Sequence, residues 1–447
     1  MTRKESAFMS VNQRLDSKQP PKSLLICGGH VIDPANGVDG PADVFIRDGK
    51  IAAVAPKLKE KAERTIEAKG LIVAPGFIDL HVHLREPGQA YKETIATGTA
   101  AAAKGGFTSV CAMPNTQPVN DSVETTRWMQ SPERGALVNV FPIAAATLGS
   151  QGEKLTDFYA LREAGAVAVS DDGRPILDDQ IMREALEAAK RTGFPVIQHA
   201  EDTRVTAGTQ MNYGAVSLRL GLRGMPAEAE AAIVRRDIEL ARKTGAHIHV
   251  AHISTAAAVE EVRRGKREGV RVSCEVTPHH FSLTEEAVAG YDTRYKMNPP
   301  LRSQEDREAM LMALEDGTID AIATDHAPHA HHEKMVEFDR AAFGITGLET
   351  ALGLGISELH EKRGIPLQRV VELLTANPGR ILSLGGRGQL SAGAPADVTI
   401  FDPKRKWTFD WKESRSKSKN TPFGGWKLTG KAMVSIVGGR LVYEAAK

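Results

Sequence analysis

Eight short apolar runs, separated by amphipathic helical stretches, constrain this sequence more than any other feature. They are FIDLHVHL (77–84), TSVCAMP (108–114), LVNVFPIAA (137–145), AVAVSDDG (166–173), PVIQHAE (195–201), HIHVAHIS (247–254), VRVSCEVTPHH (270–280) and DAIATDHAPH (320–329). Strands that alternate with helices give a parallel sheet, because a parallel connection needs a crossover of a dozen or more residues. Two of the intervening helices are plain: DQIMREALEAAKRTG (179–193) after the fourth run and AEAAIVRRDIELARKTG (229–245) before the sixth. Each ends in a glycine suited to a helix C-terminus. Eight such units in about 250 residues predict a closed (β/α)8 barrel. An open doubly wound sheet is the alternative, but no GxGxxG follows any run.

The two chain ends have a different texture. SLLICGGHVID, ADVFIRDGKIAAVAP with its Asp48-Gly49 turn, and RTIEAKGLIVAPG read as strands, as do APADVTIFDP and KAMVSIVGGRLVYEA with Gly438-Gly439. The expected architecture is α/β: a distorted (β/α)8 TIM barrel over 75–388 and a small β-sandwich built from both ends, 23–74 and 389–447. The polar segment 1–22 reads as a disordered tail, within which Met9 is an alternative start.

Charge gives no footprint for a polyanion. Lys plus Arg number 57 against 56 Asp plus Glu, so nucleic acid and anionic membrane are not the expected partners, and a small-molecule substrate is. Three scattered cysteines, Cys27, Cys111 and Cys274, make neither a disulfide framework nor a CxxC site, which fits a reducing cytoplasm. No apolar run reaches the ~20 residues of a membrane span.

Catalytic groups of such barrels project from the C-terminal ends of strands. Polar residues collect there: His81 and His83 after the first run, Asp171 and Asp172 after the fourth, His199, His252, and Asp325 with His326. His81 and His83 are two apart on a strand, so both imidazoles share a face and can chelate one ion. Histidine plus carboxylate without cysteine suits Zn2+, with Mn2+ or Co2+ as substitutes. Two metals sharing a hydroxide need a bridging carboxylate, and spacing does not choose between Asp171 and Asp172. His247 and His249 are expected to be structural, His331 and His332 solvated, and His30 on the surface. For His279 and His280, a supporting role at the active face and an incidental one are both open.

HVHLREPG (81–88), MPNT (113–116), SDDG (170–173), HAED (199–202), AHIS (251–254), MNPPLR (297–302) and TDHAPH (324–329) together resemble the dihydroorotases, of the long, composite-domain bacterial type within the amidohydrolase superfamily. The resemblance spans about residues 23–445. It implies reversible hydrolysis of (S)-dihydroorotate to N-carbamoyl-L-aspartate, the third step of de novo pyrimidine biosynthesis. It also implies one or two Zn2+ per subunit, two being the expectation, bridged by Asp172 and a hydroxide. By the same resemblance His81 and His83 hold the first metal and His199 and His252 the second. Asp325 is ligand and proton shuttle together. Arg85 and Asn115 grip the substrate carboxylate, His329 completes the pocket, Asn298 touches the ring, and the loop at Phe343 and Gly344 offers backbone contacts. A homodimer and an association with aspartate transcarbamoylase are implied as well.

Relatives such as hydantoinase, dihydropyrimidinase and allantoinase carry a carboxylated lysine at the end of strand four. AVAVSDDG has none there. Catalytically silent scaffolding relatives lack several ligands, and here every one is present.

Overall fold

A computed structural model describes residues 20–446. The expected tail, with the question of Met9, lies outside the described residues except for Pro20, Pro21 and Lys22.

Five strands come first: β1 (Ser23–Asp33), β2 (Val38–Arg47), β3 (Lys50–Ala55), β4 (Arg64–Glu67) and β5 (Ile72–Pro75). Asp48 and Gly49 both sit at positive φ, 49° and 73°, as the two-residue turn of the β2–β3 hairpin requires. The chain then enters the barrel through β6 (Phe77–Val82), β7 (Phe107–Ala112), β8 (Asn139–Ala144), β9 (Ala168–Ser170) and β10 (Val196–Gln198). A two-residue pair, β11 (Met211–Asn212) with β12 (Gly224–Met225), interrupts the series before β13 (Ile248–Val250), β14 (Val272–Val276) and β15 (Ala321–Ile322). Every barrel pairing is parallel, in the order β6-β7-β8-β9-β10-β13-β14-β15. The ring closes where Val82 bridges His326 and the His83 N–H donates to the His326 carbonyl at 2.8 Å. All eight runs therefore contribute strands, and the fold is the expected barrel.

The hydrogen-bonded strands are shorter than the apolar runs that announce them. In VRVSCEVTPHH, Thr277 caps a short helix, Pro278–Ser282, so His279 and His280 leave the strand. Helix Asp179–Thr192 starts at Asp178, whose carboxylate accepts from the Gln180 and Ile181 N–H groups, and it stops at left-handed Gly193. Ile143, Ala168, Ile197, Ala251, Ala321 and Ala323, drawn from strands around the ring, pack the barrel interior.

The last three strands, β16 (Val398–Thr408), β17 (Lys427–Val437) and β18 (Arg440–Glu444), return to the first five. β16 lies antiparallel to β5, with Val398 opposite Pro75, and the sheet runs β18-β17-β16-β5-β1-β2-β3 with β4 beside β1. Its own core, including Leu24, Val44, Ile46, Val398 and Ile436, takes residues from both chain ends.

Candidate metal centre at the barrel mouth

His81, His83, Asp172, His199, His252 and Asp325 converge at the C-terminal ends of their strands, and all six are buried. Asp172 is central. Its Oδ1 lies 3.5 Å from His81 Nε2 and 3.7 Å from both His199 Nδ1 and His252 Nε2, while Oδ2 is 3.7 Å from His83 Nε2. Asp325 Oδ1 is 3.0 Å from His83 Nε2 and 3.6 Å from His81 Nε2. His199 Nδ1 and His252 Nε2 stand 3.0 Å apart. Asp171 points elsewhere, accepting from the Thr147 N–H at 3.0 Å and from the Thr147 hydroxyl.

These spacings suit ligands of a common ion. Two atoms each about 2.0–2.2 Å from one tetrahedral cation sit roughly 3.3–3.6 Å apart. The groups His81, His83, Asp325 and His81, Asp172, His252 each place their ligand atoms within 4.8 Å of one another. His81 Nε2 and Asp172 Oδ1 are buried, face each other and have no hydrogen-bond partner. A buried charge left uncompensated costs several kcal/mol. A cation among these atoms supplies the compensation and leaves the nitrogens as acceptors, so the residues present fit a divalent metal.

The partners of each ring settle which nitrogen faces inward. His81 Nδ1 donates to Glu275 Oε1 at 3.0 Å, His83 Nδ1 to Asn115 Oδ1 at 2.8 Å, and His199 Nε2 to Glu201 Oε2 at 2.8 Å. In each case the other nitrogen keeps its lone pair for the centre. Asn115 also donates from Nδ2 to Asp172 Oδ2 at 3.2 Å, so its amide spans two of the expected ligands. Burial opposes ionisation of Asp172 and Asp325, yet the imidazoles of His81 and its neighbours prevail and hold both carboxyls below the usual carboxylate range. Glu201 and Glu275 were not singled out in the sequence. Glu201 lies within HAED, and the only signal for Glu275 is an acid in the middle of an apolar run.

Three residues at the mouth adopt the left-handed region that non-glycine residues seldom use: Arg85 (φ 60°), His252 (32°) and Asp325 (45°). Such a conformation costs about 1–3 kcal/mol and persists only where surroundings enforce it. Around Asp325 they do. The His83 N–H holds the His326 carbonyl, and the Ala327 N–H donates to the Ile345 carbonyl at 2.7 Å.

Beside the imidazoles lies a cationic wall. Arg85 is 8% exposed; its Nε donates to the Pro328 carbonyl at 3.1 Å and its Nη2 lies 3.2 Å from His329 Nε2. Among the described residues no carboxylate approaches its guanidinium within 4.0 Å. His329 Nε2 is also 2.7 Å from the Phe343 carbonyl. One ring nitrogen cannot serve both, and the shorter contact to a carbonyl makes it the donor there. Burial, reinforced by Arg85, Lys92 and Lys334, pushes His329 down to about 2, so its ring is neutral. Gly344 has φ 129°, and a Cβ there would stand 2.6 Å from Ala327 Cβ. Asn298 donates to Glu201 Oε2 at 2.8 Å and leaves a buried Oδ1 without a partner. Glu201, Asn298 and Phe343 also line an adjoining cavity of about 320 Å3.

The remaining histidines divide. His30, His331 and His332 are exposed. His280 anchors a loop through Thr277 Oγ1 (2.7 Å) and the Pro299 carbonyl (3.0 Å), whereas His279 Nε2 is buried without a partner.

Comparison with known proteins gives the family. A family model described as Dihydro-orotase-like matches residues 70–258. The chain is 53% identical over 422 residues to the dihydroorotase of Solibacter usitatus (strain Ellin6076), covering 94% of this chain and 98% of that one. It is 51% identical over 425 residues to the dihydroorotase of Geobacter sp. (strain M21), covering 95% and 100%. Among solved structures, the L-hydantoinase (dihydropyrimidinase) from Arthrobacter aurescens superposes with a TM-score of 0.84 at 25% identity, over 95% of this chain and 96% of that one. With half its residues shared along nearly its whole length, the chain belongs to the dihydroorotase family.

Proposed function

We propose that this chain reversibly hydrolyses (S)-dihydroorotate to N-carbamoyl-L-aspartate, the third step of de novo UMP synthesis, with Zn2+ held by His81, His83, Asp172, His199, His252 and Asp325. The observation that carries the choice of substrate is Arg85. A buried guanidinium beside the metal cage, with no carboxylate within 4.0 Å of it among the described residues, is suited to a bidentate grip on the substrate's carboxylate. A neutral hydantoin has no such group to offer.

Two Zn2+ are proposed, the first at His81, His83 and Asp325 and the second at His199 and His252, with Asp172 between them. When bound, divalent metal lowers the pKa of water toward ~7 and polarises a carbonyl oxygen. The chain's own residues do the rest. Arg85 grips the substrate carboxylate, His329 completes the pocket by holding the Phe343 carbonyl, Asn115 orients His83 and Asp172 at that edge of the pocket, and Asn298 Oδ1 faces the ring. The backbone at Phe343 and Gly344 closes the side of the pocket. Asp325 takes the proton of the attacking water and delivers it to the ring nitrogen as the amide C–N bond breaks. In the synthetic direction the same carboxylate accepts the nitrogen's proton as the ring forms and water leaves.

The test is a substrate panel. Purified protein should turn over dihydroorotate and carbamoyl aspartate and leave hydantoin and allantoin largely untouched; preference for a neutral ring would overturn the assignment. The reading extends to a homodimer in the cytoplasm that associates with aspartate transcarbamoylase, for which size-exclusion chromatography of the two proteins together is the check. No helix among the described residues is long and apolar enough to cross a membrane. The working division remains 23–74 and 389–447 for the β domain and 75–388 for the catalytic one.

A further inference from the structure

A line of hydrogen bonds runs through the barrel from His81 to the opposite face. Glu275, buried on β14, accepts from His81 Nδ1 at 3.0 Å and, through its other oxygen, lies 3.2 Å from His249 Nε2. His249 Nδ1 is 2.8 Å from Ser273 Oγ, and Ser273 Oγ is 2.8 Å from His247 Nε2. Alternation builds this column. His247 and His249 share one side of their strand, Ser273 and Glu275 share one side of the next, and His249 pairs with Ser273 in register. The column ends at a cavity of about 350 Å3 at the N-terminal ends of the strands, lined by His247, Ser273, Arg271 and Asp320 among others.

Only one direction of donors satisfies every member. Glu275 meets a ring nitrogen at each oxygen, His81 Nδ1 at one and His249 Nε2 at the other, and as a carboxylate it can only accept. His249 must then donate from Nε2, which makes Nδ1 an acceptor for the Ser273 hydroxyl proton. Ser273 in turn accepts from His247 Nε2. His81 must donate from Nδ1, which leaves Nε2 as the lone pair that faces Asp172 and Asp325. If Ser273 lost its hydroxyl, His249 would be free to move its proton to Nδ1. Its Nε2 lone pair would then oppose the Glu275 carboxylate, and the grip on His81 would slacken.

We propose that His247, Ser273, His249 and Glu275 form a positioning column that fixes the tautomer and orientation of His81 from the far face of the barrel, and so sets the metal affinity of the centre. This rests on the metal reading above. None of the four is among the residues assigned to the substrate, and a metal centre served only by its immediate neighbours would not need an ordered line spanning the barrel.

Zinc affinity of the full chain, measured by competition with a chromophoric chelator, tests the column, with the melting temperature of metal-free protein as the control for folding. Loss of partners that orient a metal-binding histidine typically weakens metal 10–100-fold, and Ser273→Ala should lose roughly tenfold. His249→Phe, which removes the donor to Glu275 while keeping a ring, should lose more. Ser273→Thr, which keeps the hydroxyl, should stay near the parent. Should His249→Phe fail to fold, Ser273→Ala decides, because Ser273 borders the cavity and its truncation leaves little to collapse. Tight zinc binding by the parent with an unchanged affinity in Ser273→Ala would overturn the column alone. A parent chain that binds no zinc would overturn the metal reading instead.

Discussion

At the scale of the residue, the site is a problem of charge placed where water is scarce. Asp325 combines a strained backbone with contact to two imidazoles. Asp325→Asn keeps the shape and removes the proton acceptor, so kcat should fall by about 10²–10⁴-fold while KM changes little. Steady-state kinetics on protein of verified metal content checks this, and near-normal turnover would remove Asp325 from the chemistry. Arg85 should behave oppositely. A hydrogen bond to a charged partner contributes about 1.5–3 kcal/mol, so Arg85→Ala should raise KM for dihydroorotate roughly 10–150-fold with a smaller change in kcat. Arg85→Lys should recover only part of that, because an ammonium cannot make the paired contact. The histidine pair at 81 and 83 was legible from a two-residue period. Asp172 was not, since adjacent aspartates face opposite ways and only the turn at Gly173 determines which one enters. Nor does alternation foretell His252 or Asp325, whose positive φ turns them inward after the strand has ended.

At the scale of the element, the loop from Ala327 to Gly344 carries the wall that contacts Arg85. Two buried lysines hold it. Lys296 Nζ donates to the Phe338 carbonyl at 2.7 Å and the Asp339 carbonyl at 3.0 Å, and Lys334 Nζ donates to the Lys296 and Ala342 carbonyls at 3.0 and 2.6 Å. Neither lysine stood out in the sequence, where both read as ordinary polar positions. Burial, with the charge of Lys296 added, pushes Lys334 down to about 7. The unfolded chain, with lysine near 10.4, then binds more protons than the folded one between pH 7 and 10, so stability rises with pH across that window. Thermal melts should show the parent gaining on Lys334→Met as pH rises from 7 toward 10; a constant difference would contradict this. Gly344→Ala strains the backbone and drives a Cβ against Ala327, so it should raise KM and lower the melting temperature, with metal content unchanged.

At the scale of the whole molecule, the βα rhythm specified the barrel because each run had a helix-length crossover behind it, and all eight pair in parallel. The texture of the two ends specified a β domain, and the register of β16 on β5 shows why they must meet. The helix at Pro278–Ser282 was hidden inside a run that reads as a strand, and the β11–β12 pair is two residues per strand, too short to show a period. The proposed metal site draws on this global architecture, since its six candidate ligands come from five strand ends and converge only when the ring is closed. Chelation should therefore lower the melting temperature and zinc should restore it, the more so at higher free zinc.

The most direct measurement is an anomalous difference map from crystals of active, zinc-loaded protein. One or two peaks are expected, each about 2.0–2.2 Å from its own ligands among His81 Nε2, His83 Nε2, Asp172, His199, His252 and Asp325. Active crystals with no peak inside that ring of side chains would contradict it.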